Sequence, residues 1–260
     1  MTRLPSLFLS HGSPMMAVED SAARRFLAGL GRSLDRPKAI LLASAHWCAA
    51  APTVGGCETP ETIHDFGGFP RQLYEMNYEP PGSAELAGRT AELLAQNGVM
   101  AAMDDRRGLD HGAWVPLMLM YPEADIPVAQ ITTQPHLGPA HHFALGAAVS
   151  QLRDEGVLVI GSGNLTHNLG GLRRDNPEGA PNPRVAEFTD WVFDALSENR
   201  YGDLLDYRRL APHAVDNHPS DEHFLPLFTA LGAGGEGVTP QRLHQSYSYG
   251  ALAMDAYAFD

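Results

Sequence analysis

Four short apolar runs rich in Leu, Ile, Val and Ala divide the chain: Leu4 to Leu9, Ala39 to Ala45, Ile126 to Thr132 and Val157 to Ile160. They are continuous rather than alternating, the pattern of strands covered on both faces. Helix-like segments occupy Ser21 to Leu34, Ser83 to Asn97, Ala140 to Glu155 and Pro183 to Asn199, with Gly98 placed to stop the second. This alternation predicts an α/β fold, a mostly parallel central sheet flanked by helices on both faces. The tail from Arg242 to Phe259 alternates around Gly250 and predicts one or two extra C-terminal strands. No repeat or low-complexity linker breaks the pattern, so residues 1–260 are expected to form a single domain.

Composition narrows the class. A 260-residue chain that is 44% hydrophobic can bury one large core. Its 18 basic and 31 acidic residues give a net charge of −13, which argues against nucleic acid or an anionic membrane as partner. The two cysteines, Cys48 and Cys57, do not make a disulfide framework. No apolar run approaches the ~18 residues of a membrane span, and Met1 to Leu9 lacks a cleavage site, so a cytoplasmic location is expected. The sequon at Asn164-Leu165-Thr166 then carries no weight.

Twelve histidines supply the candidate chemistry. Three predicted strands end alike, in Ser10-His11-Gly12-Ser13-Pro14, Ser44-Ala45-His46-Trp47 and Gly161-Ser162-Gly163-Asn164-Leu165-Thr166-His167. Ligands of open parallel sheets bind beyond the carboxyl ends of the strands, so histidines delivered there can meet in space. A fourth candidate stands in Glu222-His223-Phe224-Leu225-Pro226, where Pro226 fixes a helix start near Glu222 or His223. Glu222 is a rival ligand, but neighbours at a helix start point about 100° apart. Three imidazoles with an open position are the donor set of a catalytic divalent metal, zinc or ferrous iron. His111 either touches substrate, orients a ligand or caps the apolar helix that follows it. His64, His136, His141, His142, His213, His218 and His244 read from the residues alone as ordinary hydrogen-bonded or exposed imidazoles. The Cys57 to Tyr78 loop, rich in Gly, Pro and aromatics, reads either as a substrate-facing loop or as a packed connection.

These motifs have a family resemblance. His11-Gly12-Ser13-Pro14, Ser44-Ala45-His46-Trp47, Thr62-Ile63-His64-Asp65-Phe66-Gly67-Gly68-Phe69-Pro70, Asp110-His111-Gly112-Ala113-Trp114, Gly161 to Leu169 and Glu222 to Leu227 occur in order along essentially the whole chain. In these the chain resembles the class III extradiol ring-cleavage dioxygenases of the protocatechuate dioxygenase catalytic-subunit type, most closely the DOPA-dioxygenase-like branch. The resemblance implies a single catalytic domain that opens a catechol ring with O2, as a monomer or small homo-oligomer. It implies His11, His46 and His223 as ligands of one metal, Fe(II) for dioxygenase activity or Zn(II) as found in this branch. It makes His167 the acid/base histidine, able to reach the metal when no substrate is bound, with His111 as its catalytic neighbour. Ser13, His64 and Phe66 are expected to line the ring pocket. One departure stands out: the better-known iron enzymes use two histidines and a carboxylate, where this chain has His223.

Two rival functions use the same residues. A zinc hydrolase would activate water at the three-histidine site with His167 or a carboxylate as base. A non-enzymatic member would bind metal and ligand without chemistry, which the intact His167 argues against. A serine hydrolase is weaker, since Ser13 lies in His-Gly-Ser-Pro and not in a Gly-x-Ser-x-Gly elbow.

Overall fold

The computed structural model describes residues 3–173, 175, 177–235 and 237–260. Its strands are β1 (Ser6–Ser10), β2 (Ala39–Cys48), β3 (Thr53–Gly55), β4 (Ala102–Asp104), β5 (Val128–Thr133), β6 (Val157–Gly163), β7 (Pro240–His244), β8 (Tyr247–Ser248), β9 (Leu252–Ala253) and β10 (Ala256–Phe259). Eight of them form one sheet in the order β4-β3-β5-β2-β6-β1-β10-β7. Its centre, β5-β2-β6-β1, is parallel, while β10 adds antiparallel to β1 at one side and β7 adds antiparallel to β10.

The continuous apolar runs supply both faces of that centre. Leu7, Leu9, Ile40, Leu42, Leu158 and Ile160 face one cluster, shared with the Ala22–Ser33 and His111–Met120 helices. Leu41, Ala43, Val157 and Val159 face the opposite side with Leu145 and Ala148 of the Gly138–Ala148 helix. Phe8 packs there too, against Phe224, Leu227 and Phe228 around the Leu225–Gly234 helix. Among the described residues no helix is long and apolar enough to cross a membrane.

Several boundaries differ from the pattern-based expectation. The helix expected over Ala140 to Glu155 runs from Gly138 to Ala148 and gives way to a separate 3-10 turn at Ser150–Arg153. That turn buries the Arg153 guanidinium against the carbonyls of Leu4, Ala233 and Gly234. The helix expected to begin near Glu222 or His223 begins at Leu225, leaving His223 just outside its first turn. The tail holds four strands rather than one or two, β8 and β9 closing a hairpin around Gly250 at φ +70°.

Candidate metal centre

β1 and β2 flank β6 and all three run parallel, so their carboxyl ends open together. His11 follows β1 directly, and its amide donates to the Gly163 carbonyl at 2.9 Å. His46 lies near the end of β2, where the pairing with β5 is irregular between Ala43 and Cys48. Beyond β6 the Asn164 amide donates to the His223 carbonyl at 2.8 Å, while its side-chain oxygen accepts the Gly12 amide at 2.8 Å. Next along, the His167 amide donates to the Asn217 carbonyl at 2.9 Å. One loop therefore ties together two segments distant in sequence, residues 11–12 and 217–223. Glycine is required at its start, because a Cβ on Gly163 would stand 2.1 Å from the His223 carbonyl oxygen.

The Nε2 atoms of His11 and His46 are 3.1 Å apart, and those of His46 and His223 3.2 Å. A neutral imidazole has one N–H, so the partner of each Nδ1 decides what Nε2 presents. His46 Nδ1 is 3.3 Å from the Asp65 carboxylate and His223 Nδ1 is 3.1 Å from that of Glu222. Carboxylates only accept, so both protons sit on Nδ1. His11 Nδ1 is 3.0 Å from Ser162 Oγ, whose own proton goes to the Gly112 carbonyl. That carbonyl has no helical donor, since residue 116, one turn on, is a proline inside the helix. Ser162 Oγ is thus an acceptor for His11.

All three Nε2 atoms then turn lone pairs towards one another, an arrangement that a cation between them makes favourable. Nitrogens bonded at ~2.0–2.1 Å would stand about 3.3 Å apart around a tetrahedral ion and about 3 Å apart around an octahedral one. The observed separations suit either, so the donor set fits a divalent metal without selecting which.

Burial, reinforced by His46 and His223, holds His11 well below the usual imidazole range. Burial likewise brings His46 to about 2 and lowers His223, the Glu222 carboxylate only partly offsetting it. All three are neutral near pH 7, the form that binds metal. Burial alone would raise Asp65, but hydrogen bonds from His111 bring it to about 2, and the His223 hydrogen bond brings Glu222 to about 2.

His167 stacks on His223 with ring centroids 3.4 Å apart and planes 11° from parallel. Burial, then the neighbouring His223, lowers it to about 3. His111 is the first residue of its helix, and the cap is Asp110, whose side chain accepts the Ala113 amide at 3.2 Å. The His111 amide and Nδ1 instead reach Asp65 Oδ1 at 2.9 and 3.0 Å. Asp65 therefore orients His46 and His111 together.

These groups open on a cavity of about 740 Å³, walled by Ser13, His46, Phe66, Phe69, His111, His167, Leu169, Leu172, His223 and Leu252 among others. Small-molecule sites span roughly 300–1,000 Å³. The Cys57 to Tyr78 loop is ordered and supplies Phe66, Gly67, Gly68 and Phe69 to this wall. His64 is not brought in: its Nε2 lies 2.9 Å from the Met76 carbonyl and its ring packs edge-on to Phe66 and Trp114. Sequence reasoning missed Asp65 and Ser162 as orienting groups, although both lie inside motifs it singled out.

Comparisons with known proteins identify the family of the chain. A family model described as the catalytic LigB subunit of aromatic ring-opening dioxygenase matches residues 5–259. A protein of Beta vulgaris named 4,5-DOPA dioxygenase extradiol is 45% identical over 258 residues, covering 98% of this chain and 96% of the relative. One of the same name from Escherichia coli K12 is 41% identical, covering 92% and 89%. The crystal structure of an uncharacterized protein from Escherichia coli K12 superposes with a TM-score of 0.84 at 33% identity, covering 99% of this chain and all of that one.

Proposed function

Because the chain belongs to the family of catalytic LigB-type subunits of aromatic ring-opening dioxygenases, we propose that it opens the ring of a DOPA-like catechol with O2 beside the diol, on one metal held by His11, His46 and His223. The observation that carries this reading is the meeting of three Nε2 lone pairs at the wall of a cavity sized for a small ligand. When bound, ferrous iron supplies the Lewis acidity and the redox chemistry that O2 requires, and zinc is a redox-inert occupant of the same imidazoles. Glu222 assists through His223 Nδ1 rather than as a ligand.

The chain's own residues do the rest. His167, held neutral by burial, has a free nitrogen to accept a phenolic proton. An anionic catecholate beside it favours its charged form, raising its pKa towards the range a proton carrier needs. His111, with Nδ1–H committed to Asp65, keeps an Nε2 lone pair for a substrate hydroxyl. Phe66, Phe69, Leu169, Leu172 and Leu252 clasp the ring and exclude water.

The test is anaerobic loading with ferrous iron, addition of L-DOPA and then admission of O2. One O2 should be consumed per catechol, with a yellow ring-opened product, and the zinc-loaded protein should give none. Bound catechol without O2 uptake in the iron form would refute the reading.

A further inference from the structure

Apart from histidines, the cavity wall formed by the described residues carries one ionisable charge, the carboxylate of Glu19. Glu19 sits just past the Pro14–Ala17 turn that follows His11-Gly12-Ser13, and its amide is tied to the Met15 carbonyl at 2.7 Å. Its Oε2 lies 3.3 Å from the Tyr249 hydroxyl, which reaches it from the β8–β9 hairpin. Tyr249 is held at a left-handed φ of +54°, costly for a non-glycine residue, with its amide on the Pro177 carbonyl and its carbonyl on the Arg173 amide, both at 2.8 Å. The hairpin backbone is therefore pinned where it fixes the carboxylate over the cavity. The adjacent Asp20 is engaged by Arg25 at 2.6 Å, whereas no cationic group of the described residues pairs with Glu19. The cavity is also larger than a bare diol ring requires, and apart from the Ser13 and Tyr249 hydroxyls its remaining walls are apolar.

We propose that Glu19 is a specificity residue that receives an ammonium group on the side chain of the catechol, so that cationic or zwitterionic catechols are preferred to anionic ones. This rests on the ring-opening function proposed above. Tyr249, through its hydroxyl, is a positioning residue for the carboxylate.

The probes are dopamine, 3,4-dihydroxyphenylpropionate and 4-methylcatechol, which carry a cationic, an anionic and a neutral tail. With iron-loaded wild type, kcat/KM for dopamine should exceed that for the propionate by about tenfold or more, the size of one charge-assisted hydrogen bond. In Glu19→Gln the dopamine to 4-methylcatechol ratio should fall by about tenfold, through KM, and Glu19→Lys should turn the preference towards the propionate. The same order should appear in dissociation constants measured calorimetrically on zinc-loaded protein, where no turnover is needed. An unchanged ratio in both variants, or equal binding of the cationic and anionic probes by wild type, overturns the proposal. Failure of the iron form to open any of the three rings would sink the ring-opening function instead, and the zinc-form affinities would still decide the role of Glu19.

Discussion

Replacing Asp65 by Asn preserves the side chain's shape but exchanges an acceptor oxygen for a donor. Asp65 accepts from His46 Nδ1 at 3.3 Å, from His111 Nδ1 at 3.0 Å and from the His111 amide at 2.9 Å. An asparagine can satisfy one side with its oxygen, but its NH2 then faces an imidazole N–H on the other. The relief is a tautomer change that places a proton on Nε2, where a lone pair is needed. Loss of an orienting partner typically costs 10–100-fold in metal affinity, or about 1.4–2.8 kcal/mol. The 3.3 Å contact is long against the ~2.7–2.9 Å of a strong charge-assisted bond, which puts the expected loss near tenfold. The two shorter contacts belong to His111, so KM for catechol should also rise when iron is saturating. Competition with a chromogenic chelator gives the zinc dissociation constant, and steady-state O2 uptake gives KM. Ser162→Ala removes only a neutral partner, worth about 1 kcal/mol, and should weaken metal binding less. If Asp65→Asn bound zinc within about twofold of wild type and kept its KM, the tautomer argument would be wrong.

Three further outcomes follow from the same geometry. His223→Ala should abolish stoichiometric metal in the purified protein, whereas His167→Ala should retain it and lose about 10²–10⁴-fold in turnover; equal metal loss in both would erase the division of labour. Gly163→Ala forces a methyl against the His223 carbonyl and should cost at least ~1–3 kcal/mol in urea unfolding together with metal affinity. For pH, burial lowers His142 to about 4 and His218 to about 3, so from pH 6.5 down to those values the unfolded chain binds protons that the native one refuses. These two histidines therefore leave stability unchanged above pH 6.5 and lower it below, by up to about 1.4 kcal/mol per pH unit for each. Equal urea midpoints at pH 7.5 and 5.5 would contradict this.

What could be read from the sequence depended on whether the signal was local. Strands buried on both faces announce themselves as unbroken apolar runs, and β1, β2, β5 and β6 were legible for that reason. β3 and β4, three residues each, have no such run and owe their existence to pairing with neighbours. His11, His46 and His167 stood out because the ends of parallel strands converge, a rule of topology rather than of neighbouring residues. His64, in an equally conspicuous motif, points to the Met76 carbonyl, since position in a loop does not say which way a side chain turns. The parts played by Asp65 and Ser162 depend on which ring nitrogen faces which partner, which is set by the packed three-dimensional fold and not by neighbouring residues.

The placement of β10 bears on how the site is held together. β1, which delivers His11, gains its partner on one side only after residue 163 exists, and on the other only when Ala256–Phe259 pairs with it. The Asp255 carbonyl, accepting from both the Ser10 amide and its hydroxyl, belongs to that same last stretch. Two strands some 250 residues apart in sequence thus complete one another. A chain cut before Ala256 would carry every histidine of the candidate site yet lack the strand that holds the first of them in place.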